Sequence, residues 1–437
     1  MNNQDNNNIN ILHHALEYAL KKGCSDARLV LVTGEENELE WRDNAVDRLH
    51  HSSGCQLTIS LYVDGRFSTI NTNRLERNEV ENFIDKGIIN TRFLEPDPYR
   101  ILPANELLYK GEMSNMGLYD ENYNNIDINQ KLALAKQISE EINDNRIITA
   151  SSMVDDNKSH KYIVTSSGFE GYSARSTYAA SATVSVKGEG DERPEDYCFT
   201  LANNWQELTH KGIGTEALRR SVNKIGANRI NSGKYNIVID RWCSGSIFNP
   251  IIGALNGAAL HQQSSFLLNR KGEKIASSLL TIKDNPLQYG RIGATLFDAE
   301  GAALNELNVI ENGVLNNYYI SRYYALKMGV EPTRGSAAII DFAQSNNNTA
   351  ELIKQLNNGV YITGFNGGNC NGTTGDFSYG IEGYLVENGI ITKPISEMLM
   401  TGNMLTLWNN LTQVSNDPLP YMSINTPSLL FSDVILN

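Results

Sequence analysis

One candidate for metal chemistry lies in residues 249–270, NPIIGALNGAALHQQSSFLLNR, a segment that predicts a helix with His261 near its centre. A hydrolytic zinc helix needs two imidazoles on one face and a glutamate beside the first of them as general base. His261 is instead followed by two glutamines, and no second histidine lies within two turns of it. We therefore interpret His261 as a surface or interface residue on a helix whose apolar stripe packs inside its own domain.

The other histidines and cysteines do not form a recognisable chelate. His13 and His14 are adjacent, as are His50 and His51, and adjacent side chains point in different directions on helices and strands alike. Cys370 could act as a thiol ligand or a nucleophile only beside a partner base, and the neighbouring sequence supplies none. The residues alone therefore predict no complete metal site or nucleophile.

A glycine-rich stretch is the most distinctive feature of the sequence. From Gly364 to Gly380 it contains six glycines and three asparagines. This composition allows positive φ angles and the close approach of a ligand or another chain. Two interpretations stay open, a tight multi-turn connection into a hairpin or a loop that contacts a peptide.

Composition and charge argue against several classes of function. The formal net charge of −13 argues against direct binding of nucleic acid, which requires clustered lysines and arginines. The N-terminus has neither the basic nor the apolar region of a secretory signal, and no apolar run approaches the roughly 18 residues of a membrane span. Five scattered cysteines suit a reducing compartment. We expect a cytoplasmic protein without a membrane segment.

The pattern of helices and short strands predicts an α+β fold. A helix, several antiparallel strands and a second helix occur in residues 1–92 and again in residues 127–231, which indicates a duplicated unit. Residues 93–126 are rich in proline and predict a linker that runs over the surface. Residues 232–437 predict a mostly β C-terminal domain with two Asn-Gly hairpins.

These features together resemble the TldD/PmbA family, formerly described as modulators of DNA gyrase. The most specific part is the closing block TGDFSYGIEGYLVENGIITKPISEMLMTGN, with its glycine-rich turn, V-E-N-G hairpin and P-I-S-E segment. The family has two kinds of subunit that assemble together. One resembles a zinc metallopeptidase with His-Glu-x-x-x-His on a helix of the third domain and a cysteine ligand further on. The other, TldE or PmbA, lacks these ligands, and the present sequence is most similar to it.

The resemblance implies a non-catalytic subunit of a cytoplasmic, heteromeric zinc metallopeptidase that acts on unfolded peptides, in peptide maturation and antitoxin degradation. Zinc is expected in a TldD-like partner subunit and not in this chain. For the peptide we expect contacts at Gly375, Asp376, Phe377 and Ser378, through strand addition to a glycine-rich edge strand.

Two alternatives follow from the same residues. In the first, the chain is itself a metal-dependent peptidase that gathers dispersed ligands such as His261 and Cys370. In the second, it is a binding protein that modulates DNA gyrase or a toxin by contact. Whether the chain also forms a homodimer is left open by the sequence.

Overall fold

The computed structural model describes the backbone of residues 3–437 and the side chains of residues 7–437. Helices and sheets alternate along the chain, which confirms the predicted α+β class. No helix in this described part of the chain has both the length and the apolar character needed to cross a membrane.

One antiparallel sheet runs through both N-terminal units, in the order β3-β2-β1-β4-β5-β6. Its strands are β1 (Asp26–Arg42), β2 (Ala45–Val63), β3 (Arg66–Thr72), β4 (Ile147–Thr165), β5 (Glu170–Val186) and β6 (Glu195–Ala202). The two halves join where β1 pairs with β4, from Arg28 opposite Thr165 to Arg42 opposite Ser151. The duplicated units therefore share one sheet, and the boundaries drawn between them stay predictions.

Each half of this sheet is covered by two helices. The first half packs against α1 (Asn3–Lys21) and α2 (Arg77–Thr91), and the second against α3 (Ile128–Glu140) and α4 (Ile213–Asn223). The start of α3 is fixed by a capping box, in which Asp127 accepts a hydrogen bond from the Gln130 amide and the Gln130 side chain accepts one from the Asp127 amide. The predicted order of helix, strands and helix thus occurs in both halves.

The proline-rich segment 93–126 differs from the surface linker that we expected. Leu102, Leu108 and Leu118 are buried in it. The Tyr109 amide donates a hydrogen bond to the carbonyl of Gly301 (3.0 Å) in the C-terminal domain. The proline content alone did not indicate these buried leucines. They hold part of the segment against the rest of the molecule.

Two sheets form the C-terminal domain. The larger has the order β14-β13-β12-β7-β17-β15, and in an additional pairing the end strand β14 contacts β17, the strand next to the other end. Its strands are β7 (Gly233–Ile239), β12 (Gly359–Cys370), β13 (Asp376–Glu387), β14 (Ile390–Asn403), β15 (Leu411–Val414) and β17 (Leu429–Leu436). The smaller has the order β10-β9-β8-β11-β16 and consists of β8 (Ile282–Asp284), β9 (Leu307–Glu311), β10 (Val314–Leu315), β11 (Ile340–Phe342) and β16 (Ile424–Asn425).

Five short helices complete this domain: α5 (Gly245–Ala254), α6 (Gly257–His261), α7 (Arg322–Met328), α8 (Thr349–Leu356) and α9 (Met404–Asn409). The largest apolar core of the chain lies between them and the two sheets and includes the fully buried Trp408. The Asn-Gly pairs at 312–313 and 388–389 have positive φ angles and close hairpins, as their sequence predicts.

The continuous helix predicted over residues 249–270 is wrong. The helix is interrupted at Asn256, whose side chain accepts a hydrogen bond from the Ala258 amide (2.8 Å) and caps α6. The Gly257 amide donates to the carbonyl of Tyr319 (2.8 Å) instead of continuing α5. His261 therefore lies at the C-terminal end of a five-residue helix and not at the centre of a long one.

Candidate functional site

A cavity of about 440 Å³ lies between α5, α6 and the turn that joins β12 to β13. We call it the helix–turn cavity. Its lining residues are Ser246, Asn249, Pro250, Gly253, Ala254, Ala259, Ser264, Cys370, Gly372 and Tyr379. Most of these side chains are small, and none is an acid, a base or a histidine.

The chain after α6 brings the glycine-rich turn against the helices. The Phe266 amide donates a hydrogen bond to the carbonyl of Gly372 (2.8 Å). The Phe266 ring also packs over Gly375, which has φ +79° and where a Cβ would lie 3.1 Å from the ring. The two sequence features singled out for chemistry therefore meet at one site, and the contact at position 375 requires glycine.

The turn itself is held by its own hydrogen bonds. The Asp376 carboxylate accepts hydrogen bonds from Asn403 Nδ2 (2.9 Å) and Thr374 Oγ1 (2.8 Å). These bonds hold the pKa of Asp376 below its usual range. The Gly375 amide donates to the carbonyl of Asn371 (2.7 Å). These contacts favour the interpretation of a tight multi-turn connection, with Asp376 as its organising carboxylate.

Strand addition at residues 376–378 does not fit the structure. Phe377 pairs with Cys370 of β12, and Ser378 pairs with Thr401 of β14, so both edges of β13 are occupied there. Gly375 and Phe377 are buried, whereas the Asp376 side chain is exposed and that of Ser378 half-buried. A peptide contact at these residues stays a prediction. The peptide cannot bind there by main-chain pairing with β13, because both edges of this strand are already paired.

Tyr379 is a cavity residue that our sequence reasoning missed. It is 9% exposed, and its ring stacks on that of Phe377 with centroids 5.7 Å apart. The signal was present, since the aromatic residues 377 and 379 alternate with the polar residues 376 and 378 on one strand and so share a face. Cys370 lies half-buried beside Tyr379, and burial raises the pKa of its thiol.

His261 and Cys370 do not form a ligand pair in the helix–turn cavity. His261 is exposed, its ring faces that of Tyr324 on α7 with centroids 5.7 Å apart, and it does not line the cavity. Within residues 7–437, the structure places no three His, Cys, Asp or Glu side chains together as metal ligands. The donor set of the cavity thus does not fit zinc, which requires three or four such groups.

The adjacent histidines contact different partners. His13 Nε2 lies 3.0 Å from the Glu170 carboxylate, and His14 Nε2 lies 2.8 Å from that of Glu81. Neighbouring side chains on α1 therefore diverge, in agreement with the prediction that this pair forms no chelate by itself.

Comparison with known proteins assigns the chain to a family. The sequence-family model for the PmbA/TldA metallopeptidase central domain matches residues 121–225, and the family model for the PmbA/TldA metallopeptidase C-terminal domain matches residues 232–436. A protein of Bacteroides thetaiotaomicron, described as a candidate modulator of DNA gyrase, is 42% identical, with a TM-score of 0.96 over 98% of each chain.

More distant relatives extend the likeness over the whole chain. The metalloprotease PmbA of Escherichia coli O157:H7 is 25% identical over 432 residues, which cover 97% of this chain and 95% of that protein. The TldE protein of Thermococcus kodakarensis shares the fold, with a TM-score of 0.85 and 18% identity over 98% of this chain and 99% of that one. The chain belongs to the PmbA/TldD family of metallopeptidases.

Proposed function

We propose that this chain is the non-catalytic, TldE/PmbA-like subunit of a cytoplasmic, heteromeric zinc metallopeptidase that acts on unfolded peptides. The observation that carries the proposal is the lining of the helix–turn cavity. There α5 and α6 present Pro250, Gly253, Ala254 and Ala259, where a hydrolytic helix would present imidazoles and a general base. Zinc and the activated water would come from a TldD-like partner subunit.

The chemistry of the two dispersed candidates supports the same assignment. Zinc binds the thiolate of cysteine, whereas burial favours the neutral thiol of Cys370. His261 is directed toward Tyr324. All five cysteines are unpaired in the structure, which suits the reducing cytoplasm that we propose as the location.

The test compares the purified chain with a co-expressed pair. The partner would be a relative from the same genome that carries His-Glu-x-x-x-His. We expect the chain alone to bind no stoichiometric zinc and to leave an unfolded peptide intact, whereas the pair co-purifies, contains zinc and hydrolyses the peptide until a chelator is added. Light scattering of the chain alone would also determine whether it forms a homodimer.

Two variants make this test specific. His261→Ala and Cys370→Ser remove the dispersed candidate ligands, and neither should change the zinc content or the activity of the pair. Chelator-sensitive proteolysis by the isolated chain, lost in either variant, would show instead that the chain is a peptidase by itself. Recovery of DNA gyrase from native cells without a zinc-peptidase subunit would favour the modulator role that the description of the Bacteroides relative names.

A further inference from the structure

A second cavity, of about 190 Å³, lies where the N-terminal sheet and its helices meet the C-terminal domain. We call it the junction cavity. Asp196 of β6 and Arg220 of α4 line one side of it. Asp240, which directly follows β7, and Tyr361 of β12 line the other. Unlike the helix–turn cavity, the junction cavity is therefore lined by acids and arginines.

The carboxylate of Asp240 lacks a counter-charge. Asp240 is 5% exposed and accepts hydrogen bonds from the Trp242 amide (2.9 Å) and the Tyr361 hydroxyl, but in the described part of the chain it forms no ion pair. Burial of an uncompensated carboxylate costs free energy, and it raises the pKa of Asp240. The arginines that line the cavity pair with other acids: Arg219 with Glu216, Arg220 with Asp196 and Arg241 with Asp417. Asp240 is therefore suited to bind a cationic group of a ligand.

Arg220 has hydrogen-bond donors that lack acceptors. Its Nε atom is buried and lies 3.2 Å from the Asp196 carboxylate, at an angle that does not make a hydrogen bond. Asp196 is also shared with Lys224 (3.1 Å). Within the described residues, the other N–H groups of Arg220 form no hydrogen bond either. A guanidinium carries five N–H donors whose geometry matches a carboxylate, so Arg220 can bind the carboxylate of a ligand.

We propose that the junction cavity binds a free α-amino acid, with its carboxylate on Arg220 and its ammonium group on Asp240. Such a zwitterion supplies both the cation that Asp240 lacks and the acceptor that Arg220 lacks. The cavity is smaller than the roughly 300–1,000 Å³ of most ligand sites, which suits a single amino acid and excludes an extended peptide. The other charges of the lining are paired, which favours a small uncharged side chain.

The position of the site gives the ligand a structural effect. Arg220 belongs to α4 and Asp240 to the C-terminal domain, so the bound amino acid connects two parts of the chain. This inference goes beyond the proposed function and requires neither zinc nor a partner subunit.

The test is isothermal titration calorimetry of the full-length chain with L-alanine and the other common amino acids. We expect saturable binding of L-alanine at one site per chain. N-acetyl-L-alanine lacks the ammonium group and L-alaninamide lacks the carboxylate, so each should bind at least about tenfold more weakly. Methylammonium chloride tests whether a simple cation is sufficient, and it should also bind more weakly than L-alanine.

Two variants report on the two halves of the site. Asp240→Asn removes the negative charge at nearly constant size, and Arg220→Gln removes the guanidinium. Each should weaken the binding of L-alanine about tenfold or more. Lys224→Gln is the matched control, because Lys224 also pairs with Asp196 but does not line the cavity, and it should leave the affinity unchanged. Thermal unfolding midpoints verify that all three variants fold.

The proposal would be overturned if no amino acid bound at millimolar concentration. Equal binding of L-alanine and its two blocked analogues, or of methylammonium, would also overturn it, and these comparisons use the unaltered chain. Unchanged affinity in both Asp240→Asn and Arg220→Gln would have the same meaning. Because the titration contains neither zinc nor a partner subunit, a failure of partner-dependent hydrolysis would leave its result intact.

Discussion

Replacing Asp155 by asparagine is expected to stabilise the protein at neutral pH and to lose this effect in acid. Asp155 lies directly opposite Glu38 where β4 pairs with β1. Its Oδ1 atom is buried without a hydrogen-bond partner in the described part of the chain. Burial, together with the charges of Glu38 and other nearby acids, raises the pKa of Asp155 from 3.8 to about 6.

The size and sign of the effect follow from this rise in pKa. A rise of this size corresponds to a penalty of about 3 kcal/mol on the ionised carboxylate of the folded protein. Asp155 is only half-buried, so solvent screening reduces the expected gain to about 1–1.5 kcal/mol. Because the folded pKa exceeds the unfolded one, the penalty is complete above about pH 6 and disappears below about pH 4.

Urea unfolding followed by tryptophan fluorescence between about pH 4 and pH 8 would measure this dependence. Asp144→Asn is the control of opposite sign, because the Arg146 guanidinium lowers the pKa of Asp144 to about 2. That variant should lose stability across the whole range, with a loss that shrinks only as the pH falls toward 2. If Asp155→Asn changed the unfolding midpoint equally at both ends of the range, the inference of a buried-charge penalty would be refuted.

The remaining predictions concern the C-terminal domain and the metal. Asp284→Ala should destabilise the protein by about 3–5 kcal/mol in urea unfolding, because it removes the counter-charge 2.7 Å from the buried Arg334; retention of the parental midpoint would contradict this. Gly313→Ala should lower the thermal midpoint more than Gly65→Ala. Both positions have positive φ in hairpin turns, but a Cβ at Gly313 would lie 2.3 Å from a carbonyl oxygen and one at Gly65 meets nothing within 4 Å. His261→Ala should leave the zinc content of the co-purified pair unchanged by elemental analysis, and a fall by one equivalent would show that His261 is a ligand.

The sequence predicted well those helices and hairpins that are determined by residues close together in the chain. The alternation of apolar and polar residues predicted the helix α3, and Asn-Gly pairs predicted two hairpins of the C-terminal domain. The sequence did not predict the length of the long strands. We expected several short strands, but β1 and β2 are long and continue through Gly34 and Gly54, which lie opposite each other. Pairing across the sheet maintains a strand where glycine alone would interrupt it.

The candidate site depended on contacts between segments far apart in the sequence. Both the helix around His261 and the glycine-rich stretch were recognised, but their meeting through Phe266 and Gly372 follows from tertiary packing. The interruption at Asn256 likewise reflects a contact of the next residue with Tyr319. Single-sequence patterns report local periodicity and cannot supply such partners.

The pairing of β1 with β4 determines where the chain can be divided into fragments. A fragment that ended before β4 would leave the main-chain groups of β1 without partners from Arg28 to Arg42, on a strand that is otherwise interior to the sheet. Such an unprotected edge recruits other chains and promotes aggregation. The N-terminal half of this protein therefore cannot be divided between β1 and β4, and fragments for expression should retain the whole sheet with the helices that cover it, as far as Asn223 at the end of α4.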